Sequence, residues 1–242
     1  MIEISNLHKS FGSNKVLRGV NLEIDTGETI VIIGRSGCGK SVLIKHIVGL
    51  LYPDEGFVKV EGKRVDEMEM KELYDLRTKF GFLFQGSALF DSMTVEENIT
   101  LPLVESRKTF TKEELQKKVA EKLEMVGMSG VQPLKPAELS GGMKKRVGLA
   151  RALITDPDYI IYDEPTTGLD PIMSDSIDEQ IKELTDKLNV TSIVVTHDMY
   201  SVKNVANQVA MMHEGTIHFV GAPDELLNSD DFIIKEFVQR TE

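Results

Sequence analysis

The sequence predicts an α/β chain with a mostly parallel sheet core, an antiparallel β part at the N-terminus and a helical insertion in its middle. Three observations predict it. Short apolar runs rich in Ile and Val alternate with segments of helical period. The first 28 residues break that alternation with short strand-and-turn patterns. Residues 86–150 break it again, being polar and mostly of helical character.

Four runs read as buried strands: TIVII at 29–33, FGFLF at 80–84, YIIY at 159–162 and TSIVVT at 191–196. Continuous apolar runs of this length suit strands covered on both faces. In 40–51, Val42, Leu43, Ile47, Leu50 and Leu51 fall on or near one helical face. In 172–188, Ile177, Ile181, Leu184 and Leu188 recur at spacings of three and four. The N-terminal part turns at Asp25-Thr26-Gly27 and at Pro53-Asp54-Glu55-Gly56, with 55–61 as a further short strand. Inside the insertion, 112–126 is an amphipathic helix. Thr111 stands at its N-cap with Glu114 three residues on, so each side chain can satisfy the other's backbone N–H. Met68-Glu69-Met70 reads as the start of a solvated helix. No repeat or linker divides the sequence, so 1–242 reads as one domain, with a helical subdomain over 86–150.

Forty-one per cent of the 242 residues are hydrophobic, enough for a sizeable core. Asp plus Glu number 39 against 28 Lys plus Arg, a net charge of −11. Such a surface repels nucleic acid and anionic lipid, so phosphate must be held at a local site. Arg35, Lys45, Lys144, Lys145 and Arg146 lie in or beside the motifs described below, and no nucleic-acid partner is expected. Cys38 is the single cysteine, which excludes an internal disulfide and suits a reducing compartment. His8, His46, His213 and His218 show no metal-ligand spacing. No apolar run reaches 18 residues, and MIEISNLHKS lacks the apolar core of a signal peptide. A peripheral role at a membrane is compatible with this; spanning one is not expected.

The run 29–33 leads into Gly34-Arg35-Ser36-Gly37-Cys38-Gly39-Lys40-Ser41 and then a helix. Glycine, four residues, glycine, lysine and serine between a strand and a helix is a phosphate loop. Ser36, Gly37, Cys38 and Gly39 can turn backbone N–H groups toward phosphate oxygens, and the helix N-terminus points its unpaired donors at the same place. Lys40 can reach the β and γ phosphates, and the Ser41 hydroxyl can ligate Mg²⁺. The run 159–162 ends in Asp163-Glu164. One carboxylate can hold Mg²⁺ while the other polarises an attacking water, a division suited to phosphoryl transfer.

A phosphate loop alone says only nucleoside triphosphatase. Leu139-Ser140-Gly141-Gly142-Met143, 20 residues before Tyr159, narrows it. A serine and glycines at the N-terminus of a helix over 141–154 make a second anion site. Two phosphate-binding elements in one chain make sense if the second caps the nucleotide held by another copy. This segment resembles the LSGGQ signature of ATP-binding cassette (ABC) ATPases, with Met143 in place of Gln. The resemblance spans residues 2 to about 223 and implies a P-loop NTPase fold of the ABC type. It implies that Gln85 senses Mg²⁺, that Asp170 is the acid of the D-loop Thr167-Gly168-Leu169-Asp170, and that His197, followed by Asp198, contacts the γ-phosphate. It places Phe11 on the adenine, with Val16 against the same ring. Glu164 then acts on the water, and ATP with Mg²⁺ is the expected ligand pair. A homodimer and a transmembrane permease are the expected partners, at the cytoplasmic face of the inner membrane.

Residues 85–103 fall where such an ATPase docks its permease. Gly86-Ser87-Ala88-Leu89-Phe90-Asp91, with Asn98-Ile99 and Leu101-Pro102-Leu103, resembles the ATPases of MCE-associated phospholipid transporters, which maintain outer-membrane lipid asymmetry. LSGGM followed by a basic pair, and a C-terminal segment FIIKEFV within 230–240, resemble the same group. That likeness implies an MCE-type substrate-binding protein as a further partner. An import ATPase for a polar solute such as an amino acid is the alternative. Soluble cassette proteins of DNA repair or ribosome function would need a long coiled-coil insertion or a second cassette, and this sequence has neither.

Overall fold

The computed structural model describes residues 1–106 and 109–241. Residues 107–108 of the expected helical subdomain, and Glu242, lie outside the described residues. The chain opens with strands β1 (Ile2–Phe11), β2 (Asn14–Ile24) and β3 (Thr29–Gly34), followed by helix α1 (Lys40–Ile47). Next come β4 (Glu55–Val60), β5 (Lys63–Arg64), α2 (Met70–Thr78) and β6 (Phe80–Leu83). Three helices fill the insertion: α3 (Val95–Val104), α4 (Lys112–Met125) and α5 (Gly141–Leu153). The alternation then resumes with β7 (Tyr159–Asp163), α6 (Pro171–Leu188), β8 (Thr191–Val195) and α7 (Met199–Val205). The remainder is β9 (Gln208–His213), β10 (Thr216–Gly221), α8 (Pro223–Leu227) and α9 (Phe232–Thr241).

Two sheets form. The smaller, in the order β2-β1-β4-β5, is antiparallel. The larger runs β10-β9-β3-β8-β7-β6 and is parallel except for its edge strand β10. Side chains on β3 alternate between two apolar clusters, as strand geometry requires. Ile30 and Ile32 face the antiparallel sheet and α1; Val31 and Ile33 face the cluster built by α3 to α7. Tyr159 and Ile161 alternate with Ile160 and Tyr162 in the same way on β7. Burial of each such side chain contributes about 1.5–3 kcal/mol, so the sheet centre is the firmest part of the molecule.

The helix expected over 40–51 stops at Ile47. Gly49 takes a φ of +66°, which an L side chain rarely adopts. The amides of Leu50 and Leu51 then turn back onto the Lys45 carbonyl, and Leu50 is left exposed. The run at 80–84 pairs only to Leu83, and Phe84 is half exposed. The capping box of Thr111 and Glu114 forms as the spacing predicts. The tail segment forms α9.

Candidate active site

Because β3, β8, β7 and β6 are parallel neighbours, their C-terminal ends share one edge of the sheet. That edge gathers Gly34, His197, the Asp163-Glu164 pair and Gln85 from across the sequence. Open α/β sheets bind ligands along such an edge. Gly34 closes β3 at φ +150°. A Cβ there would lie 2.5 Å from the Met212 carbonyl oxygen on β9 and 2.7 Å from Cys38 Sγ, so only glycine lets the loop leave the sheet. Gly39 is the N-cap of α1, and no side chain caps that helix, so its first amides face the loop. Lys40 Nζ folds over the loop and donates to the carbonyls of Gly34 at 2.6 Å and Arg35 at 3.2 Å.

A cavity of about 550 Å³ lies over this edge. It brings together Phe11, Val16, Ser36, Gly37, Gly39, Lys40, Ser41, Gln85, Asp163, Glu164 and His197. Phe11 ends β1 and, though it lines the cavity, is 48 % exposed. Cys38 does not line the cavity: its amide donates to the Arg35 carbonyl, and its side chain packs against the apolar cluster beneath the loop.

Glu164 is held at several points. Its φ is +50°, a left-handed value for a non-glycine residue. Its amide donates to the Val195 carbonyl at 2.8 Å. His197 Nδ1 lies 3.0 Å from Oε1, and the Thr167 hydroxyl donates to Oε2 at 3.1 Å. Burial raises the Asp163 carboxyl, the neighbouring Glu164 raises it further, and the cations Lys40, Lys145 and Lys45 oppose them. Lys145 Nζ donates to the Gln85 carbonyl and, at 3.2 Å, to the Glu164 carbonyl.

Ser140, Gly141, Gly142 and Asp170 lie elsewhere. Ser140 is exposed and caps α5, accepting from the Met143 amide at 3.3 Å. Asp170 caps α6, accepting from the Met173 amide at 3.0 Å. The two turns touch: the Cβ positions of Gly141 and Gly142 fall against Leu169 and Met173. None of the four residues lines the cavity.

Chemically, the loop amides and Lys40 can cradle phosphates. Glu164, oriented by His197 and Thr167, can accept a proton from water. Among the described residues, no group of three or more His, Cys, Asp or Glu side chains could hold a metal by itself. The cavity offers Ser41, Gln85 and Asp163 instead, one carboxylate with two neutral oxygens. That set fits Mg²⁺, which takes few protein ligands and completes its shell with water and substrate phosphates.

Sequence reasoning missed three neighbours of the site. Lys145, read only as flanking the signature, is buried at 4 % exposure. Thr167 was legible as part of a loop, not as a partner of Glu164. Helix α9 approaches the phosphate loop: Arg35 pairs with Glu236 at 2.8 Å, and Phe237 and Arg240 line a cavity of about 260 Å³ with Lys40, Glu164 and His197. Beyond Gln85 lies a groove of about 580 Å³, mostly apolar, with Phe82, Phe84, Phe90, Leu101 and Pro102 in its lining. Among the described residues, no helix is long and apolar enough to cross a membrane.

Fold and cavity together define a nucleoside triphosphatase of the P-loop class. A family model described as ABC transporter matches residues 17–167. The chain belongs to that family and is one of its ATP-binding ATPases. The probable ribonucleotide transport ATP-binding protein mkl of Mycobacterium leprae is 40 % identical over 237 residues, covering 98 % of this chain and 68 % of that protein. The intermembrane phospholipid transport system ATP-binding protein MlaF of Haemophilus influenzae is 38 % identical over 240 residues, covering 99 % and 90 %. The methionine import ATP-binding protein MetN of Clostridioides difficile is 42 % identical over 226 residues, covering 93 % and 70 %. The dimeric cassette MJ0796, in a post-hydrolysis state bound to ADP and Pi, superposes with a TM-score of 0.83 at 33 % identity, covering 92 % of this chain and 99 % of that one.

Proposed function

We propose that this chain is the MgATP-hydrolysing subunit of a phospholipid transporter that maintains outer-membrane lipid asymmetry. It works as a homodimer on the cytoplasmic face of the inner membrane, with residues 1–242 as one catalytic domain. Phe11 and Val16 hold the adenine. Ser36 to Gly39 and Lys40 hold the phosphates, with Cys38 contributing its backbone, and Ser41, Gln85 and Asp163 hold Mg²⁺, which supplies charge neutralisation at the phosphates. Glu164 positions and deprotonates the water, and His197 steadies the γ-phosphate. Ser140, Gly141, Gly142 and Asp170 serve the nucleotide of the second copy. The observation that carries this reading is the cavity: residues from four strand ends converge on it, yet the signature turn of the same chain lies outside it.

The apolar groove beside Gln85 is the proposed seat of the permease, and an MCE-type protein the source of the lipid. The phospholipid reading is supported by the 85–103 segment, by LSGGM, and by the likeness to MlaF over 99 % of the chain. The likeness to MetN favours a second reading, import of a polar solute such as an amino acid. Affinity purification from detergent-solubilised membranes, with lipid analysis of the product, separates the two. Recovery of a permease, an MCE protein and phospholipid is expected; a permease with a soluble solute-binding protein and no lipid would replace the first reading with the second.

A further inference from the structure

Lys145 and Arg151 lie six residues apart on α5, and both are buried, at 4 % and 9 % exposure. Among the described residues neither forms an ion pair with a carboxylate. A buried cation is costly unless it finds acceptors, and each of the two donates to two backbone carbonyls. Arg151 donates to Ser87 and Ala88, each at 2.7 Å. Lys145 donates to Gln85 and to Glu164. Three of these four acceptors belong to residues 85–88. That segment holds Ser87 at φ +60° and Ala88 at φ +45°, a shape that non-glycine residues keep only when their surroundings impose it. Helix α5 imposes it here.

Lys145 differs from Arg151 in reaching a second strand end. The Glu164 peptide is pinned on one side by Val195 and on the other by Lys145. We propose that Lys145 is a positioning residue for ATP hydrolysis, whose amine locks the backbones of Gln85 and Glu164 together so that their side chains reach working geometry as a unit. A charged donor makes both bonds stronger than a neutral one would. Burial pulls the Lys145 pKa down, and the carboxylates of Asp163 and Glu164 oppose that shift. Ser140 is the N-cap of α5, so Lys145 links the helix that follows the signature serine directly to Glu164. The proposal rests on the roles given above to Glu164 and Gln85.

The test compares Lys145→Met and Lys145→Arg with wild type, in the full chain together with its permease. The readouts are kcat, KM for ATP, the dissociation constant of a fluorescent ATP analogue, and Tm. Lys145→Met is expected to lower kcat about tenfold or more, because small misplacement of a reacting group suffices, while KM and nucleotide affinity stay within about twofold. Lys145→Arg, which keeps the charged donors, should recover most of the rate. Unchanged kcat in Lys145→Met, an Arg variant as slow as the Met variant, or KM rising and Tm falling in step with the loss of kcat would each overturn the proposal. If Lys145→Met does not fold, Lys145→Gln, able to reach only one of the two carbonyls, is judged by the same criterion. Glu164→Gln is measured alongside. If it still turns over ATP, the reading of the site fails; if it is dead and Lys145→Met is fast, only the role of Lys145 falls.

Discussion

At the level of single residues, the proposed mechanism gives Glu164 and Lys40 different parts of the chemistry, and their variants should differ in kind. Glu164→Gln keeps the shape that Thr167 and His197 hold but removes the proton acceptor. Its turnover should fall by about 10²–10⁴-fold with ATP binding retained, as steady-state kinetics and equilibrium binding would register. Lys40→Ala removes the cation that caps the loop, so nucleotide affinity or turnover should drop sharply. Unchanged kinetics would remove Lys40 from the phosphate site. Asp178, on α6, offers a test of stability instead. It is 1 % exposed, and among the described residues no well-aligned hydrogen bond meets its oxygens, although Ser201 and Asn204 approach them. Burial pushes its pKa to about 6 from an ordinary 3.8. Between those values the folded chain keeps a proton that the unfolded chain releases, so stability falls as pH rises through that window and stays lower above it. Ionised Asp178 then costs about 2–3 kcal/mol at neutral pH. Asp178→Asn should raise Tm at pH 7, and the gain should vanish below pH 4.

At the level of elements, local chemistry decides much of what forms. The Thr111 capping box, the apolar run of β3 and the Ser140 turn were readable because each depends on neighbours in sequence. Thr111→Ala should cost about 1 kcal/mol, which denaturant titration would detect, without changing ATP turnover. Other elements escaped that reading for physical reasons. Helix α1 ends early because Gly49 leaves the helical region, although the apolar spacing continues to Leu51. Strands β9 and β10 were not anticipated, since QVAMMH and TIHFVG mix Met, His and Gly into what would otherwise be strand patterns. They become strands by pairing with β3 and with each other, a contact that no local window contains.

For the molecule as a whole, the sheet order is what turns four scattered motifs into one cavity. The motif spacings, read through the family resemblance, implied that convergence. The partners of α5 stayed hidden: a lysine beside a signature is polar by type, and only tertiary packing puts it at 4 % exposure between two strand ends. If each pocket is completed by a second copy, Glu164→Gln with MgATP should run as a dimer in sedimentation experiments, and the nucleotide-free chain should favour monomer. A hydrolysis-dead variant that never self-associates, with or without its permease, would refute the shared pocket.

The placement of the Ser140 turn outside its own chain's cavity also has a genetic corollary. In a mixed pair joining a Lys40→Ala copy to a Ser140→Arg copy, both lesions would fall in the same pocket and leave its counterpart untouched. Two alleles, each crippling when alone, should therefore complement one another when coexpressed.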